Sequence, residues 1–420
     1  MNDPVITSAL QYPMGLFEGT GIELEYMIVD SSTLDVLPIC DKVLSSVSGT
    51  SDNEVYPESA SGIAAWSNEL ALHVLEFKTT EPLKKLDGAD SLFHRQVVNA
   101  NNILKPYGAK LMPTAMHPWM NPDKEFRIWP HGSREIYNAF DSIFGCKGHG
   151  WSNLQSMHIN LPFKNNDEFI KLHTAIRILL PIINALTASS PFKEGGYSGF
   201  NDTRMEVYRT NSAKIPSITG YIIPEPVRGI DEYRTIILER IYSDLKPYDP
   251  EGRISHEWVN ARGCIPRFSR GSIEIRTSDI QECPAADIAC ARLIIEVLKN
   301  LADQSLCDFS RQLNFNTSEL YDIIISVIKE GDSAIIRNEG YLDIFRLKPP
   351  CTSIEIWQAL AERLTSPDFN PPGELSEIFR FGNLSSRILK KTGISPDKNK
   401  LRDIYNSLAL CLASNRQFIN

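Results

Sequence analysis

Gly21-Ile22-Glu23-Leu24-Glu25-Tyr26-Met27-Ile28-Val29-Asp30 places two carboxylates at alternate positions of an otherwise apolar, β-prone run. In a strand, side chains at i and i+2 share one face. Glu23 and Glu25 therefore project together, while Ile22, Leu24 and Tyr26 fill the other side. Like charges held so close repel and resist burial unless a cation lies between them, either a metal ion or an Arg/Lys cluster. A plain solvated strand face is the alternative, and the pair alone does not choose between the two.

Four further segments put polar residues where a buried strand should be apolar. In Asn68-Glu69-Leu70-Ala71-Leu72-His73-Val74-Leu75-Glu76-Phe77-Lys78, Glu76 interrupts a Val/Leu/Phe run, and Lys78 shares its face. An ion-paired surface strand would explain that equally well. Glu69 lies at an odd separation from Glu76, so a regular strand cannot put both on one face; a bulge or a place at the strand's entrance is required. In Gln155-Ser156-Met157-His158-Ile159-Asn160, His158 and Asn160 are again i and i+2, although a single strand histidine is ordinarily structural. Gly271-Ser272-Ile273-Glu274-Ile275-Arg276-Thr277-Ser278-Asp279 offers a Glu/Arg pair on one face, which could be a simple cross-strand ion pair. Asn201-Asp202-Thr203-Arg204-Met205-Glu206-Val207-Tyr208-Arg209 adds two arginines after a glycine-bearing loop.

Taken together, these strands or strand edges form a cup of hard oxygen ligands for Mg²⁺ or Mn²⁺, with arginines for an anionic substrate. Such a cup suits phosphoryl transfer, in which the protein mainly positions phosphates and neutralises charge. The usual nucleotide motifs are missing. There is no GxxxxGK[ST], and Gly145-Cys146-Lys147-Gly148-His149-Gly150 has the spacing of neither a Walker loop nor a GxGxxG turn. Neither a GxSxG elbow nor an HExxH helix occurs. Any nucleotide site must then be built from metal-bridged carboxylates.

The chain has 420 residues, 42% hydrophobic and 23% charged, enough for one large core or two modest ones. A net charge of -9 argues against nucleic acid as a partner but leaves room for a local basic pocket. The eight cysteines include no CxxC pair. No apolar run precedes Phe17, which reads as no secretory signal and predicts a cytoplasmic chain with reduced thiols. Apolar stretches such as 176–186 and 293–298 read as too short or too interrupted to cross a membrane. Strands are expected over 21–29, 71–78, 109–113, 155–161 and 271–277, and helices over 88–104, 167–187 and 285–303. Residues 45–62 and 195–201 read as loops. From 308 onward the pattern is helical, over 318–329, 353–364, 375–391 and 401–414, with breaks at Pro349-Pro350 and Pro371-Pro372. The expectation is an α+β chain with a catalytic domain over 1–307 and a helical C-terminal region over 308–420 packed on it.

In this order and spacing, the segments resemble glutamate–cysteine ligase family 2, carboxylate–amine ligases related to glutamine synthetase. The matching pieces are Gly21-Ile22-Glu23-Leu24-Glu25, Glu69 with Glu76, Gln155-Ser156-Met157-His158-Ile159-Asn160 and Ala188-Ser189-Ser190-Pro191-Phe192. Thr203-Arg204 and the Ser272–Asp279 segment complete the set, which covers residues 18–301. The resemblance implies an antiparallel sheet curved into a half-barrel, ATP as cosubstrate, and Mg²⁺ or Mn²⁺ between its phosphates and the strand carboxylates. It assigns metal ligation to Glu23, Glu25, Glu69, Glu76, His158 and Glu274. Arg204 and Arg276 would be catalytic, facing the acidic substrate or the transferred phosphoryl group. Asn160 and Arg209 join Arg204 as substrate-binding candidates, and Arg262 and Arg267 are candidates for ATP phosphates. This chain departs from the family at His73, where a polar stretch is more usual, and at Asn160, where a second histidine often stands.

The implied reaction phosphorylates the side-chain carboxylate of glutamate with ATP and lets an amine attack the acyl phosphate, giving a γ-glutamyl amide. Cysteine is the acceptor by the family's name, which would place the reaction in glutathione biosynthesis. Substrates are then small molecules, with no nucleic acid or membrane partner, and a homo-oligomer is left open. Two other readings compete: a metal-dependent amide or phosphate hydrolase, and a non-catalytic relative kept as a binding module. No HxH or HxxxD ligand set supports the first, and several mutually repelling carboxylates have no use in the second.

Overall fold

In β1 (Gly21–Asp30), alternation seals Ile22, Leu24, Tyr26 and Ile28 into the main apolar core and turns Glu23 and Glu25 to the opposite face. The computed structural model describes residues 12–58, 62–365 and 369–419. Around β1 it arranges β2 (Glu54–Val55), β3 (Ala64–Asn68), β4 (Val74–Thr79), β5 (Ala109–Met112) and β6 (Met157–Pro162). After a separate hairpin of β7 (Phe192–Lys193) and β8 (Gly196–Tyr197), β9 (Cys264–Arg267) and β10 (Ser272–Ile275) complete the sheet. Every pairing is antiparallel, in the order β2-β3-β4-β1-β6-β10-β9. One edge of β1 meets β4; the other is shared by β6 over Gly21–Leu24 and β5 over Met27–Asp30. The chain is thus α+β with an open antiparallel sheet.

Two strands of more than two residues escape the sequence reading. β3 is buried on both faces, so Ala-Ala-Trp-Ser-Asn shows no alternation. β9 contains Pro266, which is tolerated because β9 lies at the sheet edge. The strand expected over 71–78 begins only at Val74, and residues 69–73 make the link from β3. The expected loop over 45–62 contains β2 and the end of helix Cys40–Ser48. The Arg204 segment is also not a strand. It is the short helix Thr203–Tyr208, started by Asp202, whose side chain accepts from the Met205 amide at 2.9 Å.

Helices Ala89–Leu104, Asn166–Thr187 and Pro284–Ala302 lie within a residue or two of expectation. Asn166–Thr187 corrects the membrane reading: the helix has 22 residues and is long and apolar enough to cross a membrane, yet 89% of its apolar window is buried inside the protein. The helix expected over 375–391 is two, Glu374–Phe381 and Leu384–Thr392. Gly382 turns the chain at φ +91°, and Asn383 caps the second helix by accepting from the Ser386 amide at 3.0 Å.

The main core runs without a break from the sheet through the Asn166–Thr187 helix to Ile324, Trp357 and Ile378. A smaller core gathers Met27 and Val29 with Met112, Leu384, Ile388, Leu401, Tyr405 and Leu408. The β1 face that carries Glu23 and Glu25 therefore continues into residues covered by helices Leu384–Thr392 and Lys398–Ser414.

Candidate active site

Strand register assembles the site. Across β1 and β4, Glu25 stands opposite Glu76 and Glu23 opposite Lys78; across β1 and β6, Glu23 stands opposite His158; across β6 and β10, Asn160 stands opposite Glu274. Directly opposed side chains lie on one face about 4.5–5.5 Å apart at Cβ. Glu69 joins from the β3–β4 link, the strand-entrance position, and its carboxylate lies with those of Glu25 and Glu76 in a group whose ligand atoms are all within 4.8 Å. Glu23, Glu76 and His158 form a second such group. Glu274 belongs to neither. It is 1% exposed and accepts from Arg267 at 2.8 Å and from Arg276 at 2.6 and 3.1 Å, with the His158 Nδ1 atom 3.9 Å away.

His158 binds the cluster together. Its Nδ1 lies 3.0 Å from Glu23 Oε2, and its Nε2 lies 2.9 Å from the Ser156 hydroxyl. Ser156 in turn donates through its amide and hydroxyl to Glu25 at 2.7 and 3.0 Å, and Asn160 donates to Glu23 at 3.0 Å. Burial disfavours a charged imidazole, but the hydrogen bond with Glu23 and the charges of Glu25 and Glu274 outweigh it and lift the His158 pKa to about 9. Glu274 is opposite in sign: burial is overcome by Arg276, His158 and Arg267, which hold its carboxyl far below the usual range. Burial followed by the Glu25 and Glu76 charges drives Glu69 well above its ordinary value. Glu76 rises to about 7, through burial and then the Glu23 charge.

Lys78 does pair with Glu76 at 3.5 Å, and with Glu54 at 2.6 Å, but Glu76 is buried, so this is no surface strand. Lys78 and the charged His158 are two cations against the four carboxylates of Glu23, Glu25, Glu69 and Glu76. Oxygen donors with one imidazole are a ligand set that suits Mg²⁺ or Mn²⁺, whose charge would offset the repulsion among them.

Arg204 and Arg276 both reach the site. Arg204 donates to the carbonyls of Thr277 and Arg276 at 3.0 and 2.8 Å and pairs with Asp279 at 3.3 Å. Asp279 itself accepts from the Ser189 amide at 2.8 Å and the Ser190 hydroxyl at 2.9 Å, which explains why the Ala188–Phe192 stretch travels with the motif set. Arg267 arrives through Glu274. Arg209 and Arg262 do not come to the cluster. Arg209 is held by Glu206 one helical turn back at 2.7 Å, and Arg262 is buried against Glu225 at 2.7 Å, also donating to the Ser217 carbonyl at 3.0 Å.

The carboxylates separate two cavities. One, of about 580 Å³, is walled by Glu25, Glu69, His158, Arg204 and Arg276 and by aromatic residues including Trp151 and Trp258. The other, of about 440 Å³, is lined by Glu23, Lys78, Asn160, Glu54 and Tyr56. Arg270, on the turn between β9 and β10, borders both. Sequence reasoning gave no role to Ser156, Asp279, Arg270 or the aromatic wall. The first two were visible inside quoted motifs. The tryptophans sit on a short helix and in a 3₁₀ turn, where no periodicity marks them.

The chain is 36% identical over 279 residues to an uncharacterised protein of Archaeoglobus fulgidus, covering 66% of this chain and 73% of that one. It is 24% identical over 189 residues to a Leifsonia xyli protein provisionally named glutamate–cysteine ligase 2; that match covers 45% of this chain and 46% of the relative, less than half its length. Glutamate–cysteine ligase from Francisella tularensis in complex with AMP superposes with a TM-score of 0.58 at 11% identity, over 94% of this chain and 89% of that one. A bifunctional glutathione synthetase from Pasteurella multocida gives a TM-score of 0.60 at 13% identity, over 95% of this chain and 53% of its own. At such identities the likeness is one of fold. The family model described as glutamate-cysteine ligase family 2 matches residues 20–322, the stretch that carries the acidic strands and both site arginines, and the chain belongs to that family.

Proposed function

We propose that this chain is an ATP-dependent carboxylate–amine ligase that activates the γ-carboxylate of glutamate as an acyl phosphate and transfers it to an amine. The observation that carries this is the placement of two acidic clusters on one sheet face, between two cavities and beside the Glu274–Arg276 pair. The arginine-bearing cavity would take the acid, and the cavity with Lys78 and Arg270 would take ATP, so that the transferred phosphoryl group passes the carboxylates. Glu25, Glu69 and Glu76, and Glu23, Glu76 and His158, are the two sets that would hold divalent cations, with Glu274 bordering the second. When bound, Mg²⁺ or Mn²⁺ supplies positive charge against the phosphate oxygens.

In this proposal the chain's own groups orient one another around the reacting atoms. Glu274 aims the Arg276 guanidinium, Asp279 and the Thr277 and Arg276 carbonyls fix Arg204, and Ser156 locks Glu25 against His158. The curvature of the sheet into a half-barrel around this face is part of the proposal, as is a catalytic domain over 1–307 with the helical region 308–420 packed on it. Cysteine, the family's namesake acceptor, is the first amine to test.

The test is incubation with ATP, Mg²⁺, glutamate and hydroxylamine, following ADP and γ-glutamyl hydroxamate together. Glutamate-dependent ADP with matching hydroxamate supports the ligase. ADP with no hydroxamate, or cleavage of amides or phosphate esters without ATP, refutes it.

A further inference from the structure

The larger cavity has one wall whose chemistry the activation of a carboxylate does not use. The same cavity is also lined by Tyr137, Phe140, Trp151, Leu154, Tyr208 and Trp258. Three of these rings support one another: Phe140 lies 5.3 Å from Trp151 and 5.8 Å from Trp258, centroid to centroid. Phe144 stacks behind Trp151 at 5.4 Å, and His256 stacks on Trp258 at 5.5 Å, so both indoles are braced from outside the cavity. Tyr137, Trp151 and Trp258 nevertheless remain only half-buried. A folded chain gains by burying rings of that size, so rigid indoles left open onto a concave site mark a place where an apolar ligand group completes the burial.

We propose that the acceptor amine carries an aryl or similarly bulky apolar group that lies against the Trp151–Phe140–Trp258 wall, in preference to a small side chain such as that of cysteine. This rests on the ligase reading above and refines its second substrate. The wall and the acid-binding groups share one cavity of about 580 Å³, so an amine seated on the wall lies in the same space as Glu69 and Arg204. In the transfer, the amine nitrogen forms a bond to the acyl carbon while the bond from that carbon to the phosphate oxygen breaks. Phosphate leaves with the electron pair, and the surplus proton on nitrogen passes to the departing phosphate. A CH₂SH group is too small to cover two indoles, and the water left over them costs binding.

The experiment compares matched acceptors with ATP, Mg²⁺ and glutamate: phenylalanine against cysteine and alanine, and 2-phenylethylamine against ethylamine, with hydroxylamine as a size-independent acceptor. The aromatic member of each set is expected to have a kcat/KM at least 10-fold above its small counterparts. Trp258→Ala is expected to reduce that ratio about 10-fold, measured relative to hydroxylamine in the same variant. Cysteine or alanine equal to phenylalanine, with hydroxamate still formed, overturns the acceptor proposal alone. No hydroxamate and no ADP with any acceptor overturns the ligase reading and this one with it. A rise in KM for ATP in Trp258→Ala, with the acceptor ratio unchanged, assigns the wall to the nucleotide base and also overturns the proposal.

Discussion

Glu69→Gln is expected to stabilise the protein when divalent cations are removed and to diminish the stabilisation that Mg²⁺ or Mn²⁺ confers. Burial and the charges of Glu25 and Glu76 already hold the Glu69 pKa well above its usual value, and ligand atoms of the three carboxylates lie within 4.8 Å. Two unit charges at that separation repel by about 3.5 kcal/mol at an effective dielectric of ~20. Protonation of one member relieves part of this, so removing the Glu69 charge should return about 1–3 kcal/mol. Glutamine keeps the shape and offers an amide that Glu25 or Glu76 can accept. In the unaltered protein, a cation bound only by the folded state adds about 4.1 kcal/mol at one thousand times its Kd. Urea midpoints in EDTA and in Mg²⁺ read both effects. The variant should unfold later than wild type in EDTA and earlier in saturating Mg²⁺. A variant weaker than wild type in EDTA, or one with an undiminished Mg²⁺ shift, refutes the cation site.

Glu274→Gln strips the buried carboxylate that the half-buried Arg267 and Arg276 share, and should cost about 1.5–3 kcal/mol, read as a lower urea midpoint; an unchanged midpoint contradicts the pairing. Arg387→Met leaves Glu282, 2.6 Å away and fully buried, without its partner. A loss of about 3–5 kcal/mol is expected, with faster amide exchange in Leu384–Thr392 and Lys398–Ser414, and unaltered exchange would sink it. His173 is buried, and burial, then the Arg177 and Arg262 charges, push its pKa down to about 3. Its unfolded value is near 6.5, so the unfolded chain binds the extra proton and this histidine costs stability as pH falls below about 6.5. His173→Leu should therefore gain on wild type by up to about 1.4 kcal/mol per pH unit below that point. A difference independent of pH between 7.5 and 5 rules this out.

The sheet and its charged face were legible because alternation is a local signal. Glu23, Glu25, Glu76, His158 and Glu274 each break a hydrophobic strand at a position whose face can be counted from neighbours, and antiparallel register then brings them together. Glu69 was legible only as an exception to that count, resolved by a link instead of a bulge. What failed was non-local. Arg209 and Arg262 look like Arg204 and Arg276 in sequence, but their partners Glu206 and Glu225 are set by helix phase and by a loop fold that no pattern announces. The Arg204 segment read as a strand edge because its one decisive residue, the cap Asp202, resembles any loop aspartate. The aromatic wall assembles from four separate stretches, 137–140, 151–154, 208 and 258, of which only the first, on helix Arg134–Phe144, is periodic.

The C-terminal helices set where the active face ends. On β1 the same face changes from Glu23 and Glu25 to Met27 and Val29, and only the second pair is covered, by Leu384, Ile388, Leu401, Tyr405 and Leu408. These helices are tied to the segment that holds Arg204. The Ser385 amide donates to the Ala188 carbonyl at 2.9 Å, the Ser385 hydroxyl donates to the Asn201 carbonyl, and Asn383 donates to the Ala185 carbonyl at 3.2 Å. Ser189 and Ser190, next in the chain, hold Asp279, and Ser190 also accepts from the Arg204 amide at 3.1 Å. A shift of the Leu384–Thr392 helix is therefore expected to reach Arg204 through Ala188 and Ser190. Ser385→Ala removes one of these ties without opening a charge, and should cost about 1 kcal/mol of stability. If Arg204 faces the acid, the same change raises the KM for glutamate more than the KM for ATP. An equal effect on both, or none, would mean that the helices support the sheet without positioning the arginine.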